Sequence, residues 1–299
     1  MRRYALLLAL AALLVAGCSA LKLGYTQADI ILGWRANSYF DLDSDQRREF
    51  STRLDQLLAW HRHEQLPDYA QFLTVAIDKA EHGLKTEDIA WLVDGFRARY
   101  RIIVNRGVAD AAEILATLEA EQLVVLRKQF DKDNKKFISE HELDGGTEKQ
   151  KRARLKKMLD QIDYWAGNLT REQERKIAAL LDPVPLIEHL RHHDRIRRQH
   201  EFIDILKTRQ AKLEFATRLH QWLLDWDHGR TPEYSQLSAQ VFERRLHFFV
   251  DVDRLLTREQ RQHVLARLQK YADDCKALSA RPSARANADN VDKAILALF

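Results

Sequence analysis

The stretch TEDIAWLVDGFRARYRIIVNRGVADAAEIL, Thr86–Leu115, carries apolar side chains at Ile89, Leu92, Val93, Phe96, Tyr100, Ile103, Val104, Ala111 and Leu115. Spacings of three, four and seven place all of these on one stripe of an α-helix. Apolar residues recur at helical intervals through most of the chain, with little of the alternation that marks strands. Only ten glycines and five prolines interrupt 299 residues. The expected class is all-α: an elongated multi-helix bundle with long antiparallel helices.

Working outward, Asp43 starts a helix through about Glu64, and Pro67 starts another ending near Gly83. Downstream, a helix from about Glu119 ends at Gly145-Gly146, a break that divides the body near 145–147 into two sub-bundles. A basic helix opens at Thr147, and a short one runs from Thr170 to Asp182-Pro183. After Pro185 the pattern continues to Gly229. Ile196, Ile203, Leu206, Leu213, Ala216, Leu219, Leu223 and Trp226 lie on a near-heptad stripe there. One unbroken helix of that length would form a spine of about 60 Å. Pro232 and Thr257 open the last two large helices. Residues 281–299 read as a loose tail ending in a short helix, within a helical body of residues 42–280.

The N-terminus carries a different signal. Arg2 and Arg3 precede an unbroken apolar run from Ala5 to Ala16, which is too short to span a bilayer but suits a signal peptide. The run closes in Val15-Ala16-Gly17-Cys18, which resembles the lipobox of bacterial lipoproteins. That resemblance implies removal of residues 1–17, a covalent diacylglycerol and further acyl lipid on Cys18, and stable attachment to a membrane. Ser19 stands where Asp would hold such a protein in the inner membrane. The implied site is the outer membrane, facing the periplasm. Residues 18–41 form a lipid tether and a first short helix opened by Thr26, with Ile30, Ile31 and Trp34.

Loss of the leader removes Arg2 and Arg3 and takes the formal charge from +4 to +2. A chain so near neutrality carries no general argument for nucleic acid. Lys149, Lys151, Arg152, Arg154, Lys156 and Lys157 read as a solvated helix face. Cys275 is then the one cysteine free of lipid, so no disulfide within the chain is expected.

Leu-Thr-Arg-Glu-Gln occurs at Leu169–Gln173 and again at Leu256–Gln260, with looser copies at Leu42–Gln46 and Leu118–Gln122. Thr170 and Thr257 are placed as N-caps. Gln173 and Gln260, three residues on, are placed to reach back to the cap amide as capping boxes. The same residues resemble the repeated Leu-Thr-x-x-Gln motifs of small periplasmic stress chaperones, all-α proteins that hold unfolded clients. That resemblance implies a client-binding role for Thr170, Gln173, Thr257 and Gln260. Capping alone explains each residue of the motif and outweighs the chaperone relationship.

A broader resemblance rests on Cys18-Ser19, Leu21–Tyr25, Phe40–Asp43, Trp60-His61, Leu66–Ala70, Asn134–Phe137 and Leu169-Thr170. Together these are similar to a family of proteobacterial helical lipoproteins of unknown function. It implies the anchor and the helical fold and supplies no catalytic residues.

Asp131–Glu142 comes close to a calcium-binding EF-hand loop, but Lys135 stands where an oxygen ligand is needed and Lys136 replaces the turn glycine. His189 and His193 share a helix face at ligand spacing, yet Arg191, Arg195, Arg197 and Arg198 oppose a cation there. No Gly-x-Ser-x-Gly elbow, phosphate-binding loop or His-Glu-x-x-His is present. The reading is therefore a non-enzymatic, membrane-anchored interaction protein without cofactor or identified small-molecule substrate, with an unknown protein partner. A metal- or carboxylate-dependent envelope hydrolase and a structural subunit of an outer-membrane assembly stay open as alternatives.

Overall fold

A computed structural model of the chain describes residues 20–280. The expected lipidation site Cys18, the expected leader and the expected 281–299 tail lie outside the described residues. Every regular element among those described is helical, so the protein is all-α. The order is α1 (Ala20–Thr26), α2 (Ala28–Phe40), α3 (Ser44–Trp60), a π-helical turn (His61–Gln65), α4 (Leu66–Glu81), α5 (Thr86–Ala116) and α6 (Ala120–Glu140). A 3-10 turn (Leu143–Gly145) leads to α7 (Gly146–Ala166), α8 (Arg171–Leu181), α9 (Glu188–Lys207), α10 (Lys212–Leu224), α11 (Pro232–Leu255) and α12 (Arg258–Ser279).

Two apolar cores fill the bundle. The first joins Leu42, Leu118 and Leu126 to Phe202, Leu206 and Phe215. The second joins Ile162, Ile177 and Leu181 to Val241, Phe248 and Val252. The first core draws on α9 and α10, which lie beyond the Gly145-Gly146 turn, so the chain returns across that point to complete it. The N-terminal end of α9 packs through Leu190 into the second core while its C-terminal end packs into the first, so this helix ties the two together. A third, smaller cluster joins α1, α4 and α12 through Tyr25, Leu66, Ala70, Cys275 and Leu278.

Three sequence expectations are corrected by packing. The spine after Pro185 is two helices, because the chain turns back at residues 208–211. Thr208 Oγ1 donates to the Ile205 carbonyl at 2.8 Å, and Arg209 Nε donates to the Leu118 carbonyl at 2.9 Å. Trp222 then stacks on Phe202 with centroids 4.9 Å apart, and its indole N–H donates to the Arg198 carbonyl. Folding back lets both helices of the hairpin bury apolar faces, which one protruding helix would leave wet. Leu213, expected on the core stripe, is 85% exposed as a result, and Trp226 is 46% exposed beyond the end of α10.

The second correction concerns Pro67. No loop separates α3 from α4; the π turn joins them, with the Leu66 amide bonded to the His61 carbonyl. Pro67 sits in the first turn of α4, where its missing N–H costs little. The third concerns the tether, which is already helical from Ala20 and meets α2 with only Gln27 between them.

Candidate functional site

Four helices begin at a strict or looser copy of the pentad, and their glutamines meet in two pairs. In each copy the glutamine Oε1 accepts the amide of its own N-cap residue: Asp43 N at 3.1 Å to Gln46, Glu119 N at 2.9 Å to Gln122, and Thr170 N and Thr257 N at 3.0 Å to Gln173 and Gln260. Thr170, Thr257 and Asp43 return the bond by accepting the N3 amide, completing capping boxes. The sequence identifies these local boxes. It does not identify what the carboxamides do next.

Gln173 Nε2 donates to Gln260 Oε1 at 2.6 Å, and Gln260 Nε2 donates back to Gln173 Oε1 at 3.1 Å. Gln46 and Gln122 exchange the same two bonds at 3.1 and 2.7 Å. Each Nε2 also donates to the carbonyl two residues before its partner's cap. Gln173 reaches Leu255 O, Gln260 reaches Asn168 O and Gln46 reaches Thr117 O, all at 2.9 Å, while Gln122 reaches Asp41 O at 3.1 Å. Every donor and acceptor of these carboxamides is used. Gln46, Gln173 and Gln260 are also buried, so burial carries no penalty from unpaired groups.

The junctions thus lock helix starts together in pairs, α3 with α6 and α8 with α12. A carboxamide neither titrates nor attacks an electrophile, so they offer no acid, base or nucleophile. They also offer no free atom to a client. The signal that could have revealed the pairing was the four-fold recurrence itself, with Leu42 and Leu118 buried beside the first junction.

The metal candidates find no shared geometry. Asp131–Glu140 is the end of α6, a straight helix that cannot wrap an ion, and Asn134 there bonds Gln199 at 2.8 Å. His189 Nε2 accepts from Gln150 Nε2 at 3.1 Å, which occupies its lone pair. His192 turns the other way and stacks on Phe137. Burial and the neighbouring His193 and Arg195 push its pKa down. No group of three or more His, Cys, Asp or Glu among the described residues is placed to hold a metal.

A cleft of about 560 Å³ lies between α9, α10 and the following loop, lined by Arg198, Glu201, Asp204, Arg218, Trp222 and Asp225. Two of its three acids are already paired: Asp204 accepts from Lys207 at 2.7 Å, which holds its pKa down, and Glu201 pairs with Arg197. Near the start of the described chain, His61 in the π turn bridges Tyr25 at 3.0 Å and Tyr69 at 3.2 Å. Burial lowers its pKa and pushes Tyr69 up to about 12.

An aromatic face lies along α5. Phe96, placed on the core stripe by its spacing, is 60% exposed. Its ring edge meets Phe72 at 5.4 Å, and Phe72 also packs on Trp91 at 4.6 Å. One turn on, Tyr100 meets Trp226 at 5.2 Å and donates to the Leu223 carbonyl at 2.9 Å. Phe96, Tyr100 and Trp226 form a partly uncovered aromatic strip, with Phe96 backed by the buried Phe72.

The class defined by these features is an all-α bundle whose helix starts are tied by paired capping glutamines. The chain belongs to the family of unknown function DUF6279, whose match spans residues 38–235. That span contains the whole Gln46–Gln122 junction and Gln173, whereas Gln260 falls beyond it. No curated protein and no solved structure matches the chain.

Proposed function

We propose that this protein is a lipid-anchored helical interaction protein of the bacterial envelope, on the periplasmic face of the outer membrane, that holds another polypeptide on its exposed aromatic strip. The observation that carries the reading is Phe96, a residue with core spacing that is left 60% exposed beside Tyr100 and Trp226. Aromatic side chains are enriched where proteins bind one another, because each buries much area at small entropic cost. The lipobox-like Val15–Cys18 supports the anchor. No helix among the described residues is long and apolar enough to cross a membrane, so attachment through Cys18 is the route the sequence supplies.

The test has two arms. Palmitate labelling in cells should be lost in Cys18→Ser; labelling that persists removes the anchor. A photo-crosslinking amino acid at position 96 should trap polypeptides that position 94, a solvent-facing site on the same helix, does not. Many trapped unfolded proteins identify a chaperone, and one stoichiometric partner identifies an assembly subunit. Failure to trap anything overturns the interaction reading.

A further inference from the structure

The outward side of α1 and α2 carries a run of exposed apolar residues. Leu23 is 56% exposed, Ile30 68%, Ile31 50% and Trp34 69%. Leu23 and Ile30 are seven residues apart, and Ile30 and Trp34 four, so they fall on one helical face. Gln27 joins the two helices: its amide donates to the Leu23 carbonyl at 3.2 Å, and its carbonyl accepts the Ile31 amide at 3.0 Å. Gln27, Asn37 and Ser38, the polar residues that share this face by the same spacing, are uncharged. The cations and anion nearby are turned aside. Lys22 points inward to the buried Asp274 at 3.0 Å, Arg35 lies over the Tyr39 ring and Asp29 sits on the flank. The opposite face, through Ala36, Tyr39 and Phe40, packs into the first core.

We infer that α1 and α2 lie flat on the lipid bilayer, with Leu23, Ile30, Ile31 and Trp34 seated among the acyl chains and headgroups. The proposal rests on the anchor in the preceding section. If Cys18 carries the lipid, only Ser19 separates it from Ala20, a reach of at most about 7 Å even fully extended. A bilayer holding those acyl chains must then pass against the start of α1. An uncharged apolar helix face with a tryptophan is what the interface favours, and the helices here are too short to span. A partner protein could cover such a face elsewhere in the molecule; here the nearest surface is the membrane itself.

The experiment reconstitutes the purified full-length mature protein into vesicles of phosphatidylethanolamine and phosphatidylglycerol with brominated acyl chains, which quench only tryptophans at acyl depth. The expected result is co-sedimentation with the vesicles and a lipid-quenched emission component that disappears in Trp34→Phe. Trp34 is mostly solvent-exposed, so the conservative change leaves the fold intact, checked by an unaltered circular dichroism spectrum. Ile30→Ser with Ile31→Ser should shift the quenched component toward shallower depth. Co-sedimentation with quenching unchanged by Trp34→Phe overturns the docking and leaves the anchor standing. Absence from the vesicle pellet overturns both. An unquenched dimer that Ile30→Ser with Trp34→Ser converts to monomer gives the face to a second copy and also overturns the proposal.

Discussion

Gln173 and Gln260, which are 87 residues apart, exchange two amide hydrogen bonds at the point where α8 and α12 both begin. Removing one carboxamide leaves the other with an unpaired donor and acceptor in a buried site, and strips an N-cap amide of its acceptor. Gln173→Ala and Gln260→Ala should each cost about 2–3 kcal/mol by urea denaturation. The double variant should lose less than the sum, with a coupling of about 1 kcal/mol or more. Additive losses would mean that each glutamine acts only as a local cap.

Gln260→Glu tests the same junction by charge. A carboxylate cannot donate to Gln173 Oε1 or to the Asn168 carbonyl, so the folded state disfavours the ionised form and raises that group's pKa above its unfolded value of about 4.3. By linkage, the variant should keep most of its stability below that unfolded value and lose it as pH rises through the folded one. Denaturation midpoints measured across acid and neutral pH would show this slope relative to wild type. A flat difference would mean that the site is wetter than its burial implies.

The cap of α6 differs from the other three, since Glu119 brings a longer side chain to the N-cap position than Asp43, Thr170 or Thr257. Glu119→Ser supplies a compact acceptor and should stabilise the protein by about 0.5–1 kcal/mol, read from thermal or urea melts. In the opposite sense, Thr257→Ala should cost about 1 kcal/mol.

Gly95 lies mid-helix in α5, where alanine is ordinarily better by about 1 kcal/mol. A Cβ at this position would come within 2.5 Å of two edge carbons of the Phe72 ring. Gly95→Ala should therefore destabilise by about 1–3 kcal/mol, and Phe72→Leu in the same chain should recover part of that loss. A more stable Gly95→Ala would show that the ring moves freely.

His61 and Cys275 report on the third core. Burial depresses the His61 pKa below its ordinary 6.5, so the unfolded chain binds a proton there more readily than the folded one. Stability should fall as pH drops below that value, and less steeply in His61→Gln. His141 and His192, depressed as well, keep part of the slope. Burial pushes the Cys275 thiol up to about 11, so a thiol reagent at mildly alkaline pH should label it only as fast as the protein unfolds.

Much of the chain's local structure was legible from its sequence. Thr170, Pro232 and Thr257 mark helix starts because capping and proline geometry involve only neighbouring backbone groups, and the helices begin at Arg171, Pro232 and Arg258. The stripe on α5 was legible for the same reason. Its one exposed member, Phe96, was not, because exposure depends on whether another helix arrives to cover it. The turn at residues 208–211 was hidden as well. It carries no glycine or proline, and Arg209 is held partly by the Leu118 carbonyl from a distant part of the chain.

The sequence alone determined that this protein is helical and where most of its helices start. These follow from periodicity and caps, which are readable within a few residues. Only the tertiary structure decided which capping glutamines face each other, that the long segment after Pro185 folds back on itself, and which apolar side chains stay uncovered. Each of those depends on contacts between residues far apart in the chain, where local propensity is silent and the burial of apolar surface, with every polar group satisfied, selects the arrangement.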